Sequence, residues 1–170
     1  MNIFLKLKHW QLFGLLIGIL VVVSAVAYQQ DQIKILLMTI LFAGVYYGWL
    51  YALGVNLNKK LPSTVNMNLK KFKCCLLIPI VCMLLVIYFT DIFNLIFPIV
   101  MLILSLVSMY CIFYCFYFIA KALKAVESQE PNEDFLGEFF YLWFFPIGIW
   151  FIQPRVNKIF DEKLQNKITA

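Results

Sequence analysis

The stretch "EFFYLWFFPIGIWFIQPRVNKI", residues 138–159, decides how the chain is threaded. It is almost continuously apolar and reads at first as a last membrane crossing. It nevertheless opens on Glu138, breaks at Pro146 and Gly148, and ends among the cations Arg155 and Lys158. Proline removes a backbone donor and glycine weakens a helix, so a straight crossing would be interrupted near its middle. Irregular backbone at membrane depth survives only where protein or water covers it. Whether residues 136–152 cross or turn back depends on the charges elsewhere in the chain.

The 170 residues are 64% hydrophobic and only 14% charged, too apolar for a water-soluble domain of this size. The composition predicts a single all-α integral membrane domain. Four apolar runs, about 10–28, 33–55, 74–90 and 95–120, are the expected spans. At 1.5 Å per residue they reach roughly 26–39 Å, against a hydrocarbon core of about 30 Å. Pro79 and Pro98 fall early in the third and fourth spans, where proline disturbs a helix least. Between those spans "TDIFN" forms a tight turn, organised by Asp91 with Asn94 as an N-cap.

Lysine and arginine set the orientation. Lys6 and Lys8, then Lys59, Lys60, Lys70, Lys71 and Lys73, then Lys121 and Lys124 all fall on one side of a four-span chain. That side is expected to be the cytoplasm, and Lys34 on the other side can snorkel from a helix end. A crossing at 136–152 would put Arg155, Lys158, Lys163 and Lys167 outside. Without it, every one of the 14 basic residues except Lys34 is cytoplasmic. The expectation is therefore a re-entrant or in-plane hairpin, with Trp143 and Trp150 at the interface; a fifth span is the alternative. Pro154 is then expected to start a short amphipathic surface helix over 154–170, with Val156, Ile159, Phe160 and Leu164 on one face.

The N-terminus supports two readings. "MNIFLKLKHWQ", "LFGLLIGILVVV" and "SAVA" follow the order of a signal peptide, with cleavage before Tyr28. The favoured reading is an uncleaved anchor. Gly14 and Gly18 form a GxxxG step on span one, and Gly44, Gly48 and Ala52 form small-residue steps on span two. Folding at "QQDQ" sets Gly18 level with Gly44 and Gly14 level with Gly48, which predicts close contact between these ridges.

No ionisable residue lies in the central part of any span, which argues against a proton relay. Ser105, Ser108 and Thr39 are the polar residues at depth, where hydroxyls can bond to backbone carbonyls. Tyr110, Tyr114, Tyr117 and Lys121 form a stripe on span four that reads first as bundle packing with interfacial tyrosines and, alternatively, as the lining of a cavity open to the cytoplasm. Tyr46, Tyr47, Trp49 and Tyr51 read as an inner aromatic belt. Glu138 is the candidate functional carboxylate of the broken segment, or a residue charging a helix N-terminus. Cys74, Cys75, Cys82, Cys111 and Cys115 lie in or beside apolar runs, without metal-ligand spacing and with a single histidine, His9, in the chain. No catalytic constellation, metal site or cofactor is expected.

"KHWQLF" (8–13) and "FFPIGIWFIQPRVNK" (144–158) resemble stretches at the two ends of small bacterial multi-span membrane proteins of unknown function. The resemblance covers these two stretches alone. It implies a bacterial inner membrane and carries over no functional residue.

The net charge of +5 sits at the borders of apolar spans, so it points to anionic lipid headgroups and not to nucleic acid. The basic loop "NLNKKLPSTVNMNLKKFK" and the acidic "VESQEPNEDFLGE" can pair or face a partner. The expected role is a non-enzymatic interaction, regulatory or protective component of the inner membrane, with both termini cytoplasmic. Its expected partners are the bilayer, with anionic headgroups at the cytoplasmic loops, and either another protein or further copies of the chain. The alternative is a homo-oligomeric pore or small-solute transporter.

Overall fold

The computed structural model describes residues 4, 7–28, 32–89, 97–128 and 134–168. Among them all regular structure is helical: α1 (His9–Tyr28), α2 (Gln32–Asn58), α3 (Leu69–Phe89), α4 (Phe97–Ser128), α5 (Leu136–Trp143) and α6 (Ile147–Ile168). The turns around Asp31 and Asp91, with Asn94, lie outside the described residues, as do the side chains of Lys163, Leu164 and Lys167.

Local chemistry places several helix starts. The Lys8 backbone N–H donates to Gln11 Oε1 at 2.9 Å, half of a capping box at the head of α1. Asn68 Oδ1 accepts from the Lys71 N–H at 3.0 Å and so caps α3. This starts α3 ahead of the expected position 74 and carries Phe72 into the core. At the other end of the bundle, α4 runs beyond 120 because Ala122, Leu123, Ala125 and Val126 remain buried.

Helix α2 packs on α1, α3 and α4, and α3 packs on α4. The short α5 lies on α4, α6 lies on α5, and α6 returns to α1. The α5–α6 pair therefore closes a ring through α1, α2 and α4. The buried core is gathered at that end of the molecule. It includes Leu12 and Leu16 of α1, Leu50, Leu53 and Leu57 of α2, Phe72 of α3, Ile119 and Leu123 of α4, and Ile149 and Ile152 of α6. The opposite halves of α3 and α4 carry exposed Leu84, Leu85, Ile99, Leu102 and Ile103.

Two of the four expected spans, Leu36–Asn58 and Pro98–Ser128, are long and apolar enough to cross a membrane; His9–Ala25 is apolar but shorter. The third helix spends its first turns on Lys70, Lys71 and Lys73, which shortens its apolar part.

Two expectations need correction. The last helix begins at Ile147 and runs through Pro154 without restarting there. Ile149, Ile152, Gln153 and Val156 bury one face on both sides of the proline, while Pro154 itself is exposed, so packing holds the helix continuous. Its Val156 accordingly belongs to the core, and Ile159 and Phe160, partly buried, pack against it.

The small-residue ridges are the second correction. α1 and α2 are neighbours, but no described atom lies within 4 Å of where a Cβ would stand at Gly14, Gly18 or Gly44. Leu12 and Leu16 make the contact from α1, and Gly14 and Gly18 are rotated to the exposed side of that helix. Ala52 is buried, and Gly48 faces the ring of Phe4, with 3.1 Å from the ideal Cβ to the nearest ring atom. Further along α2, Gly54 admits a neighbour more closely. A Cβ there would stand 2.2 Å from the Phe72 ring, which stacks on Phe118 at 4.5 Å.

Candidate functional site

The segment 136–160 is a tight helical hairpin. α5 stops at Trp143, three residues turn at 144–146, and α6 departs from Ile147. The Phe145–Pro146 peptide is cis. The Phe144 N–H donates to Phe140 O at 2.9 Å and the Gly148 N–H to Phe144 O at 3.1 Å, so the turn keeps most of its donors satisfied. Gly148 is where the two helices touch: a Cβ there would stand 1.6 Å from the carbonyl oxygen of Tyr141. Tyr141 also stacks on Phe151 at 4.8 Å. Pro146 shapes the turn and Gly148 permits the approach.

Glu138 and Arg155, at the open end of this hairpin, are joined. Arg155 Nη2 donates to Glu138 Oε1 at 2.8 Å, and Nε donates to Glu127 Oε1, also at 2.8 Å. Nη2 additionally bonds Glu127 Oε2. One guanidinium thus connects the end of α4, the first turn of α5 and α6. Glu138 is 6% exposed, so its carboxylate is buried against this partner. Bonding to Glu127 raises the Arg155 pKa above its ordinary value; burial opposes that, and the bond to Glu138 adds to it. The guanidinium is a permanent cation.

Two residues further in, on the buried face of α6, Gln153 is fully buried. Its Oε1 accepts from Trp49 Nε1 of α2 at 3.0 Å. Its Nε2 donates to the carbonyls of Phe4 and Leu7, each at 3.0 Å, and to Asn157 Oδ1 at 3.2 Å. Asn157 Nδ2 donates to Leu7 O at 3.2 Å. The N-terminal segment is thereby fastened to α2 and α6, with Trp150 against His9 at 4.8 Å and Phe13 at 5.6 Å. Trp143, on the opposite arm, stacks on Phe113 of α4 at 4.2 Å.

No buried side-chain nitrogen or oxygen among the described residues lacks a partner. The network holds helices: its donors and acceptors are used within the protein. Among the described residues no group of three or more His, Cys, Asp or Glu is placed to hold a metal. Cys75, Cys82, Cys111 and Cys115 are buried free thiols, and Cys74 is exposed.

The tyrosine stripe is oriented differently from the cavity reading. Tyr110 and Tyr117 face outward, Tyr114 carries Lys71 over its ring at 4.6 Å, and Lys121 Nζ donates to Tyr117 Oη at 3.3 Å. A groove of about 410 Å³ between α2, α3 and α4 lies on the other side of α4, lined by Tyr47, Cys82, Met83, Ser105 and Ser108. Ser105 Oγ donates to Leu102 O at 2.9 Å. The Tyr and Cys positions differ by only one step along α4, yet that step is a rotation of about 100°, which turns Cys111 and Cys115 inward and Tyr110 and Tyr117 out, with Tyr114 half-buried.

Sequence reasoning did not find Gln153, Trp49 and Asn157 as a network, nor Gly54 as the packing glycine. A lone amide inside "WFIQPRV" was the available signal for the first. No protein-family model matches the chain, and no curated protein or solved structure matches it.

Proposed function

We propose that the chain is a non-enzymatic interaction, regulatory or protective component of a bacterial inner membrane, with four spans and a re-entrant hairpin. The observation that carries this reading is how little the apolar helices bury. Only 22% of the apolar window of α2 and 17% of that of α4 is covered inside the protein. The core helix of a water-soluble protein would be mostly buried, whereas a bilayer accommodates such faces. α1 and α3 complete the four-span arrangement. The polar side chains of the hairpin bind helices to one another, which leaves contact surfaces as the means of action.

The hairpin geometry supports a segment that enters and returns. With 8 residues α5 is about 12 Å long, well short of a hydrocarbon core of about 30 Å. Its tip exposes Phe140, Trp143, Phe144, Ile147, Trp150 and Phe151. Such a tip suits the acyl–headgroup boundary, with Arg155 and both termini on the cytoplasmic side.

Extraction from native membranes with mild crosslinking is expected to recover one stoichiometric protein partner. Repeated recovery of the chain alone would remove this reading. A reporter active only in the periplasm, fused after Ala170, is expected to stay silent; activity there would convert 136–152 into a crossing.

The groove between α2, α3 and α4 favours a second reading, a homo-oligomeric pore or small-solute transporter. Solute flux into liposomes containing the purified protein would support it, and a monomeric particle without flux would exclude it.

A further inference from the structure

We propose that Lys71, Tyr114, Tyr117 and Lys121 form a binding site for the headgroup phosphate of an anionic phospholipid. The inference rests on the membrane reading above and names one lipid contact within it. The four side chains come from two helices and adjoin one another, Lys71 and Tyr117 exposed, Lys121 half-exposed and Tyr114 half-buried against the core. The rings of Tyr114 and Tyr117 are 6.2 Å apart, with Lys71 Nζ 4.6 Å from the first and Lys121 Nζ bonded to the second. Phe135, ahead of α5, meets Tyr117 edge-on at 5.2 Å and walls the patch on its far side.

Charge separates this patch from Arg155. Arg155 is neutralised by two carboxylates, whereas neither Lys71 nor Lys121 has a carboxylate partner among the described residues. Two ammonium groups and the Tyr117 hydroxyl are left with donor capacity at the surface, while the half-buried Tyr114 supplies its ring beneath Lys71. A phosphodiester takes up that capacity through charge-assisted bonds.

Polarity along α4 distinguishes a lipid from a free anion. The stripe continues away from Lys121 through Tyr117, half-buried Tyr114 and exposed Tyr110 to exposed Leu106 and Ile103. Cation, phenol and aliphatic surface thus succeed one another in the order of phosphate, glycerol and acyl chain. From Leu106 to Lys121 the stripe is roughly 22 Å long, about half of a bilayer of about 40–45 Å.

The test is native mass spectrometry of the full chain released from detergent, titrated with phosphatidylglycerol or phosphatidylcholine. Wild type is expected to hold phosphatidylglycerol roughly ten- to thirtyfold more tightly than the Lys71→Gln/Lys121→Gln double variant does. Phosphatidylcholine should bind both proteins alike, and the Lys71→Arg/Lys121→Arg variant should keep the phosphatidylglycerol preference. Circular dichroism of the double variant should match wild type, because both side chains are on the outer surface. Equal phosphatidylglycerol affinity in wild type and the Gln variant overturns the site. Competition by millimolar inorganic phosphate would also overturn it, by showing a free-anion site. Carbonate extraction separates the two levels: a chain released from membranes by alkali refutes the membrane reading, while a retained chain without lipid preference refutes only this site.

Discussion

The carbonyl oxygen of Tyr141 occupies the space that a side chain on Gly148 would need, 1.6 Å from the ideal Cβ position. The two arms of the C-terminal hairpin meet backbone to backbone at that point, and the rest of the hairpin depends on it. Gly148→Ala is expected to force the arms apart and destabilise the protein by about 3 kcal/mol or more. Thermal unfolding in detergent measures this, and a variant melting within a degree of wild type would disprove the contact.

Arg155 should be less replaceable than either of its acidic partners. Arg155→Ala leaves Glu138 buried without its cation, at an expected cost of about 2–4 kcal/mol; partial solvation of Arg155 and Glu127 keeps it below the full buried-pair figure. Glu138→Gln keeps a polar partner and leaves Glu127 in place, so about 1 kcal/mol is expected. Arg155→Lys should rescue little, since a single ammonium cannot reproduce the fork that reaches two carboxylates. Equal melting temperatures for the three variants would contradict this ranking.

Gln153→Leu is expected to release the N-terminal segment. The substitution removes donors to Phe4 O and Leu7 O and leaves Trp49 Nε1 unpaired, costing about 2–3 kcal/mol. Trypsin should then cut near Lys8 at a protein concentration where wild type resists, while fragments from the four-helix body persist. Unchanged cleavage at that site would show that the amide does not fasten the segment.

The glycines should divide into two groups. Gly54→Ala collides with the Phe72 ring and is expected to cost about 1–3 kcal/mol, recovered in part by Phe72→Leu in a double-mutant cycle. Gly14→Ala, Gly18→Ala and Gly44→Ala meet open space and improve helix propensity, so they should be neutral or stabilising by up to about 1 kcal/mol each. Strong destabilisation by Gly14→Ala would restore the close-contact ridge between α1 and α2.

Much of the fold was readable before any tertiary contact was known. The helices α1 to α4 occupy the four apolar runs, because transfer of apolar side chains and backbone hydrogen bonding are local requirements. The break at Pro146 was equally readable, since proline acts on its own backbone; Gly148, expected to weaken the helix, instead lies within α6 and matters through its approach to Tyr141. Pro154 misled for the same reason. Its local effect points to a helix start, but burial of Ile149, Ile152, Gln153 and Val156 across it outweighs that effect. Glu138 and Arg155 were singled out separately as polar residues bordering an apolar stretch; their bond to each other was not legible.

Composition and local propensity alone specify helices at the apolar runs and the break that turns residues 136–160 into a hairpin. These follow from composition and from residues acting on their immediate neighbours. Only the tertiary structure decided that Gln153 meets Phe4 and Leu7, that Gly54 and not Gly14 admits a neighbour, and that Arg155 joins Glu127 to Glu138. Such contacts depend on how far each helix is rotated about its own axis. A single residue step changes that angle by about 100°, enough to move a side chain from the core to the outer surface.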